Sequence, residues 1–221
     1  MRVLLVDDHA VVRAGFKMLL SAQPYVDQIS SVERGELVGH EYQRFQPDIV
    51  VMDLSMPGIG GLEAIRRLIK QDKDANVLVY SIHDEAIYIE RAMQAGAKGY
   101  VSKNSAPEIL SDAMQSVMSG EQFIECDIGD EAPLVNEVDD DTEQTTNLEV
   151  QYRAAIDALS PREFDVLCLI ARGMTNSDAS EKLCLSYKTV ANYNTQIKHK
   201  LNVSTVAELA HIAIMLGIIK H

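Results

Sequence analysis

"VVMDLSMPGIGGLEAI", Val50–Ile65, decides the fold. It opens on the end of an apolar run, "DIVVM" (Asp48–Met52), and that run stops on Asp53. A short loop follows. Leu62, Ile65, Leu68 and Ile69 then recur at three-to-four-residue spacing, the period of a helix with one apolar face. A short apolar strand that ends on a carboxylate and returns through a helix is one unit of a parallel α/β sheet.

The same unit repeats on either side. "RVLLV" (Arg2–Val6) and "NVLVYS" (Asn76–Ser81) are further apolar runs, and "VDQISSV" (Val26–Val32) and "KGYVS" (Lys98–Ser102) are weaker ones. Val12, Phe16, Leu19 and Leu20 have helical spacing between two of them. Near-continuous apolar strands fit a sheet buried on both faces. The expectation for residues 1–120 is a doubly wound, five-stranded parallel sheet with five helices. From Leu159 the pattern is helical throughout. "SPRE" (Ser160–Glu163) is a capping box with proline at the first helical position, and Thr175, Ser186 and Thr205 offer three more caps. Four short helices follow, the second and third joined by "LCLS" (Leu183–Ser186), which is helix-turn-helix spacing. The fold class is therefore α/β plus an all-α four-helix domain at 157–221.

Charge separates these parts. Residues 1–120 hold 12 Lys and Arg against 16 Asp and Glu; 121–157 hold 1 against 12; 158–221 hold 7 against 5. Most of the formal net charge of −13 thus sits in the segment 121–156, read as an acidic flexible linker. Within it, "NEVDDDTEQTTNLE" (Asn136–Glu149) has two open readings. It is a solubilising spacer held extended by self-repulsion, or it shields basic residues downstream. Either way the whole-chain charge is a poor guide to what the ends bind. No apolar run is long enough to span a bilayer, and "MRVLLVDDHA" is too short and too acidic for a signal peptide. These features predict a cytoplasmic protein without a membrane partner. Cys126, Cys168 and Cys184 match no zinc spacing, and Cys168 and Cys184 read as small core residues.

In an open parallel sheet, ligands sit beyond the carboxyl ends of the strands. The strands here end in Asp7 and Asp8, in Asp53, in Ser81, and in Ser102 and Lys103. Crowded carboxylates repel unless a cation joins them, and few oxygen ligands with room for water and phosphate suit Mg²⁺. The set fits phosphoryl transfer to a carboxylate, with Asp53 as nucleophile. Asp8, Asp53 and the backbone carbonyl of Ser55 would hold the metal, supported by Asp7. Lys103 and Ser81 would hold the phosphoryl oxygens. Each aspartate alone could equally be a turn residue capping a helix. Together the five positions favour the chemical reading.

"LLVDDH", "VVMDLSMPGIGGLEAI", "VYSIHD" and "AGAKGYVSKNSAPEIL" together resemble the receiver domain of two-component response regulators. The resemblance implies that Asp53 takes a phosphoryl group from a sensor histidine kinase, and that Ser81 and Tyr100 reorient when it does. It implies no enzyme beyond the receiver's own phosphoryl transfer and autodephosphorylation. Asn104 stands where general receivers have proline, a departure shared with the NarL/FixJ subgroup. Haloacid-dehalogenase-like phosphatases also use an aspartyl phosphate, but they carry a second aspartate two residues later. Ser55 stands there, so the general acid for turnover is missing.

Residues 159–219 resemble the NarL/FixJ (LuxR-type) DNA-binding domain, and "KTV…Y…KLN" looks more like the GacA/UvrY branch than like NarL itself. Its third helix, about 187–201, would be the recognition helix. Val190, Ile197 and Leu201 have the spacing to face the core; Lys188, Ala191, Asn192, Thr195 and Lys198 would face out. No Asp or Glu occurs between Glu181 and Glu208, whereas Lys182, Lys188, Lys198 and Lys200 do. The family assigns phosphate contacts to Thr189 and to lysines such as Lys188, Lys198 and Lys200. It leaves Asn192 and Thr195 for base edges of double-stranded promoter DNA. Part of the last helix, with Leu209, Ile212, Ala213 and Leu216, would close the module, and the rest would pair two copies as a homodimer on phosphorylation. RNA polymerase is a further partner the family implies. The rival readings are a phosphorylation-independent regulator whose receiver serves protein–protein interaction, and a module that binds a protein and never DNA.

Overall fold

A computed structural model describes residues 1–125 and 142–219. Cys126 and the start of the acidic stretch, 136–141, lie outside the described residues. So do the two readings of that stretch. The chain forms two compact units, each described by itself.

The first unit is a parallel sheet in the order β2-β1-β3-β4-β5-β6. Its strands are β1 (Arg2–Val6), β2 (Gln28–Val32), β3 (Ile49–Met52), β4 (Val77–Ser81), β5 (Gly99–Ser102) and β6 (Phe123–Glu125). The helices between them are α1 (Ala10–Ser21), α2 (Gly35–Phe45), α3 (Gly60–Gln71), α4 (Ala86–Gln94) and α5 (Pro107–Met118). The chain winds outward from β1 to β2, then crosses back to place β3 on the other side of β1. Every neighbouring pair is parallel, so all strands end on one edge. The central strands are buried on both faces, which is why they read as unbroken apolar runs. Val3, Leu5, Ile49, Val51, Leu78 and Val101 pack against Leu110, Ala113, Met114 and Val117 of α5. Fully burying each aliphatic side chain of this kind contributes roughly 1.5–3 kcal/mol.

Six strands form where five were expected. β6 falls in the segment read as linker, pairing with β5 from Gly99 opposite Phe123. Phe123 packs on the core while Ile124 stays half exposed, so this three-residue edge strand has only one face to bury.

Gly61 sets how near α3 comes to the edge of the sheet. A Cβ there would lie 2.2 Å from the carbonyl oxygen of Asp53 and 2.6 Å from Cα of Leu54. Both are backbone atoms and cannot rotate away. Gly61→Ala is expected to cost at least about 1–3 kcal/mol as overpacking. Denaturant unfolding of the receiver would show it as a lower midpoint.

The second unit is helical: α6 (Thr142–Asp157), α7 (Pro161–Ala171), α8 (Asn176–Lys182), α9 (Tyr187–Lys200) and α10 (Val206–Met215). α6 also lies in the stretch read as linker. Among its described side chains, Ile156 is fully buried. The four caps read from sequence all form: Ser160, Thr175, Ser186 and Thr205 each accept a hydrogen bond from the amide three residues on. Phe164, Leu167, Val190, Ile197, Leu201, Leu209 and Ile212 make the core.

Cys184 corrects an expectation. It is exposed, whereas Cys168 is buried. Its φ is 52°, and its amide and that of Leu185 return to the carbonyls of Glu181 and Ser180. Cys184 therefore takes the left-handed position that ends α8, and that position points its side chain away from the core.

Candidate functional site

Strand ends bring the acidic residues together. Asp53 follows β3 and is 2% exposed; Asp7 follows β1 and is 7% exposed. Lys103 follows β5 and lies between them, its Nζ 2.7 Å from Asp7 Oδ2 and 2.8 Å from Asp53 Oδ2. The other oxygen of Asp53 accepts from the Ser55 amide at 3.2 Å. Burial pushes the Asp53 carboxyl up, and Lys103 and the Ser55 amide only partly offset it. Burial works against the Lys103 charge too, but the two carboxylates outweigh it and hold the ammonium above its usual range. The arrangement keeps a buried carboxylate beside a fixed cation, with its negative form costly and reactive.

The donor set fits a divalent cation. Asp7, Asp8, His9 and Asp53 each offer one ligand atom, all within 4.8 Å of one another. Asp8 Oδ1 is buried and accepts no hydrogen bond. His9 Nδ1 lies 3.0 Å from it, without the geometry of a hydrogen bond. Three carboxylates against one ammonium leave excess negative charge that such an ion would neutralise.

Ser81 and Tyr100 are fully buried. They meet through the backbone of His83: Tyr100 donates to its carbonyl at 2.6 Å, and Ser81 Oγ accepts from its amide at 3.3 Å. The His83 ring stacks on Tyr88 at 4.0 Å and hydrogen-bonds to Ser55 Oγ at 2.9 Å. Asn104, the departure noted after Lys103, donates to Asp84 at 2.8 Å. The loop after β4 is thus held by the loops after β3 and β5. A lone histidine in a loop carries no spacing signal, so sequence reasoning did not find His83.

On α9, Val190, Ile197 and Leu201 face the core as the spacing predicted. Lys188, Asn192 and Thr195 are exposed, and Thr189, Ala191 and Lys198 are half buried. The Thr195 hydroxyl donates back to the Ala191 carbonyl at 3.0 Å, and the Thr189 hydroxyl meets Ser186 Oγ at 2.7 Å. Asn194 donates to Asn176 at the start of α8 at 3.0 Å, pinning the two helices of the helix-turn-helix.

Lys200 differs from the expected free phosphate-contacting lysine. Its Nζ is 2.7 Å from Glu163 Oε2, the carboxylate that also closes the capping box of α7. Burial alone would raise Glu163; Lys200 and the Ser160 amide and hydroxyl outweigh it and hold the carboxyl below its usual range. Because the folded value is depressed, the stabilisation is present above the unfolded value near 4.3 and is lost as pH falls through the folded value. Glu163→Gln should therefore lower stability by about 1–2 kcal/mol at pH 7. The gap to the native chain should narrow in melting curves as pH falls below the usual glutamate range.

Two family models match the chain: the response regulator receiver domain over residues 3–115, and the luxR family of bacterial regulatory proteins over 157–213. The response regulator UvrY of Escherichia coli strain K12 is 36% identical over 216 residues, covering 98% of this chain and 94% of that protein. The chain belongs to the NarL/FixJ family of response regulators. Response regulator GacA of Pseudomonas aeruginosa is 34% identical over 218 residues, covering 99% of this response regulator and 97% of its own length. A LuxR-family response regulator structure from Aurantimonas sp. SI85-9A1 is 36% identical with a TM-score of 0.54, over 55% of this chain and 87% of that one. RcsB of Salmonella typhimurium, at 22% identity and a TM-score of 0.64 over 98% of each chain, shares the fold. This response regulator joins a receiver to a LuxR-type DNA-binding domain and is a transcription regulator of a two-component system. Among the described residues no helix is long and apolar enough to cross a membrane.

Proposed function

We propose that Asp53 is the phosphoacceptor and that its phosphorylation drives binding to promoter DNA. The observation that carries this is Lys103, held within 2.8 Å of both Asp7 and Asp53 at the ends of three strands. A carboxylate oxygen of Asp53 attacks the phosphorus of a phosphohistidine on the sensor kinase. The phosphorus–nitrogen bond breaks, an acyl phosphate forms, and the leaving imidazole takes a proton. Lys103 neutralises one phosphoryl oxygen, and Ser81 turns from the His83 amide to hydrogen-bond another. Tyr100 follows, because the same residue anchors both side chains. Mg²⁺, held by Asp8, Asp53 and the Ser55 carbonyl with Asp7 in support, would neutralise the charge that develops on the transferred group. Water attack on the acyl phosphate returns the carboxylate, so the only catalysis is the receiver's own phosphorylation and autodephosphorylation.

The receiver shifts between two states, and the phosphorylated state frees the second unit to pair as a homodimer in the cytoplasm. Two recognition helices then read half-sites about one helical turn apart, where RNA polymerase can be engaged. Lys188, Thr189 and Lys198 would face phosphates, with Lys200 beside them but paired with Glu163, and Asn192 and Thr195 would face base edges. A gel shift of the full chain with and without a small acyl-phosphate donor tests the reading. The donor should tighten DNA binding and leave acid-labile phosphate on the protein. Equal affinity in both arms would favour a regulator that works without phosphorylation.

A further inference from the structure

His9 stands at the N-cap of α1, where a side chain that caps the helix is the common arrangement. Its side chain makes no capping hydrogen bond. The backbone amide is committed instead, donating to Asp7 Oδ1 at 2.7 Å. That bond fixes the residue over the carboxylates. Its ring nitrogen Nδ1 is 3.0 Å from Asp8 Oδ1 and 3.4 Å from Asp7 Oδ1. Asp8 Oδ1 is a buried acceptor with no donor. A buried oxygen without a hydrogen bond is costly unless something else fills its lone pairs. The imidazole nitrogen 3.0 Å away makes no hydrogen bond to it, so two potential ligand atoms stand side by side.

We propose that His9 is a direct ligand of the receiver's cation site through Nδ1, and that it tilts the site from Mg²⁺ towards Mn²⁺. The proposal rests on the reading that Asp8 and Asp53 hold a divalent cation. It adds a ligand that this reading does not include. Carboxylate and carbonyl oxygens alone suit Mg²⁺, a small, hard ion that keeps several waters. An imidazole nitrogen adds little for Mg²⁺ but more for first-row transition ions, whose affinity for nitrogen rises from Mn²⁺ onward. The ligand atoms of Asp7, Asp8, His9 and Asp53 lie within 4.8 Å of one another, close to the span of opposite ligands on one ion. The ring is 62% exposed, so it can turn to coordinate without unpacking a core. The same exposure makes it replaceable without loss of fold.

The experiment uses the full chain and Mn²⁺ itself. Free Mn²⁺ is counted by its electron paramagnetic resonance signal during titration, and Mg²⁺ affinity is read by competition. Pulsed measurement on the bound ion detects a directly coordinated ¹⁴N. The native chain should bind Mn²⁺ more tightly than Mg²⁺ and show the ¹⁴N coupling. His9→Ala should lose the coupling and roughly tenfold in Mn²⁺ affinity, with Mg²⁺ affinity changed less than about twofold. His9→Gln, which keeps a polar side chain without the imidazole, should behave as His9→Ala does. Absence of ¹⁴N coupling in the native chain overturns the proposal, as does an equal loss for both metals. Asp8→Asn separates the two readings: it should weaken both metals together. If neither metal binds the native chain, the cation reading fails as well. If both bind and His9→Ala changes nothing, His9 alone is refuted.

Discussion

Asp53→Asn is expected to abolish the gain in DNA affinity that a phosphodonor gives, and to leave no acid-labile phosphate on the protein. Coupling between a regulatory and a binding site commonly amounts to about 1–3 kcal/mol, so a gain of roughly 5–150-fold should fall to none. The substitution is close to isosteric. Lys103 and the Ser55 amide bond to different oxygens of Asp53, so the single amide oxygen of asparagine keeps one of these bonds and its NH2 group gives up the other. What disappears is the nucleophile, since a neutral amide does not attack phosphorus. Burial already disfavours the charged form of Asp53, so removing that charge takes away an unfavourable contribution to folding. Lys103 keeps Asp7 as its partner, so the melting temperature of the variant should drop little. That readout separates loss of the phosphoacceptor from loss of the fold. A variant that keeps its fold and still gains affinity with the donor would remove Asp53 from the mechanism.

The first unit was readable where burial is two-sided. β1, β3 and β4 are packed on both faces, and such strands leave unbroken apolar runs. β2 is a half-exposed edge and starts at Gln28, two residues after the run that suggested it. β6 is three residues long, with Glu125 inside it, so neither period nor composition announces it. α6 was hidden for a related reason: a polar helix that buries Ile156 has little stripe to show. In the site, Asp7, Asp8, Asp53, Ser81 and Lys103 were found because strand ends are positions a sequence marks. His9 and His83 were not, since their roles depend on what folds against them. Asn194 holds α9 to α8. Its partner, Asn176, is eighteen residues away and was not visible in any local pattern. The Lys200 ion pair was hidden for the same reason, as Glu163 lies thirty-seven residues away.

That pairing sets up the second large effect, on the recognition helix. Asn192 is exposed and its amide can make two hydrogen bonds to one adenine edge. Asn192→Ala should cost about 1–3 kcal/mol on the cognate site, roughly 5–150-fold, and relax the preference at one base position. Its affinity for unrelated DNA should hardly move. Lys188 is exposed at the start of α9, with the Thr189 amide bound to the Ser186 cap just beyond it. A lysine there can only supply charge. Lys188→Ala should weaken cognate and unrelated DNA alike and reduce the salt slope of binding by about 1. Lys200→Ala is the decisive comparison. A free lysine facing phosphate would give the same slope change as Lys188. Lys200 is already neutralised by Glu163 at 2.7 Å, so it has less charge to offer and fewer counterions to displace. Its replacement should change the slope by well under 1, while lowering stability because Glu163 loses its partner. Binding isotherms over a range of salt for the three variants test this directly. Equal slope changes for Lys188→Ala and Lys200→Ala would mean that DNA pulls Lys200 away from Glu163.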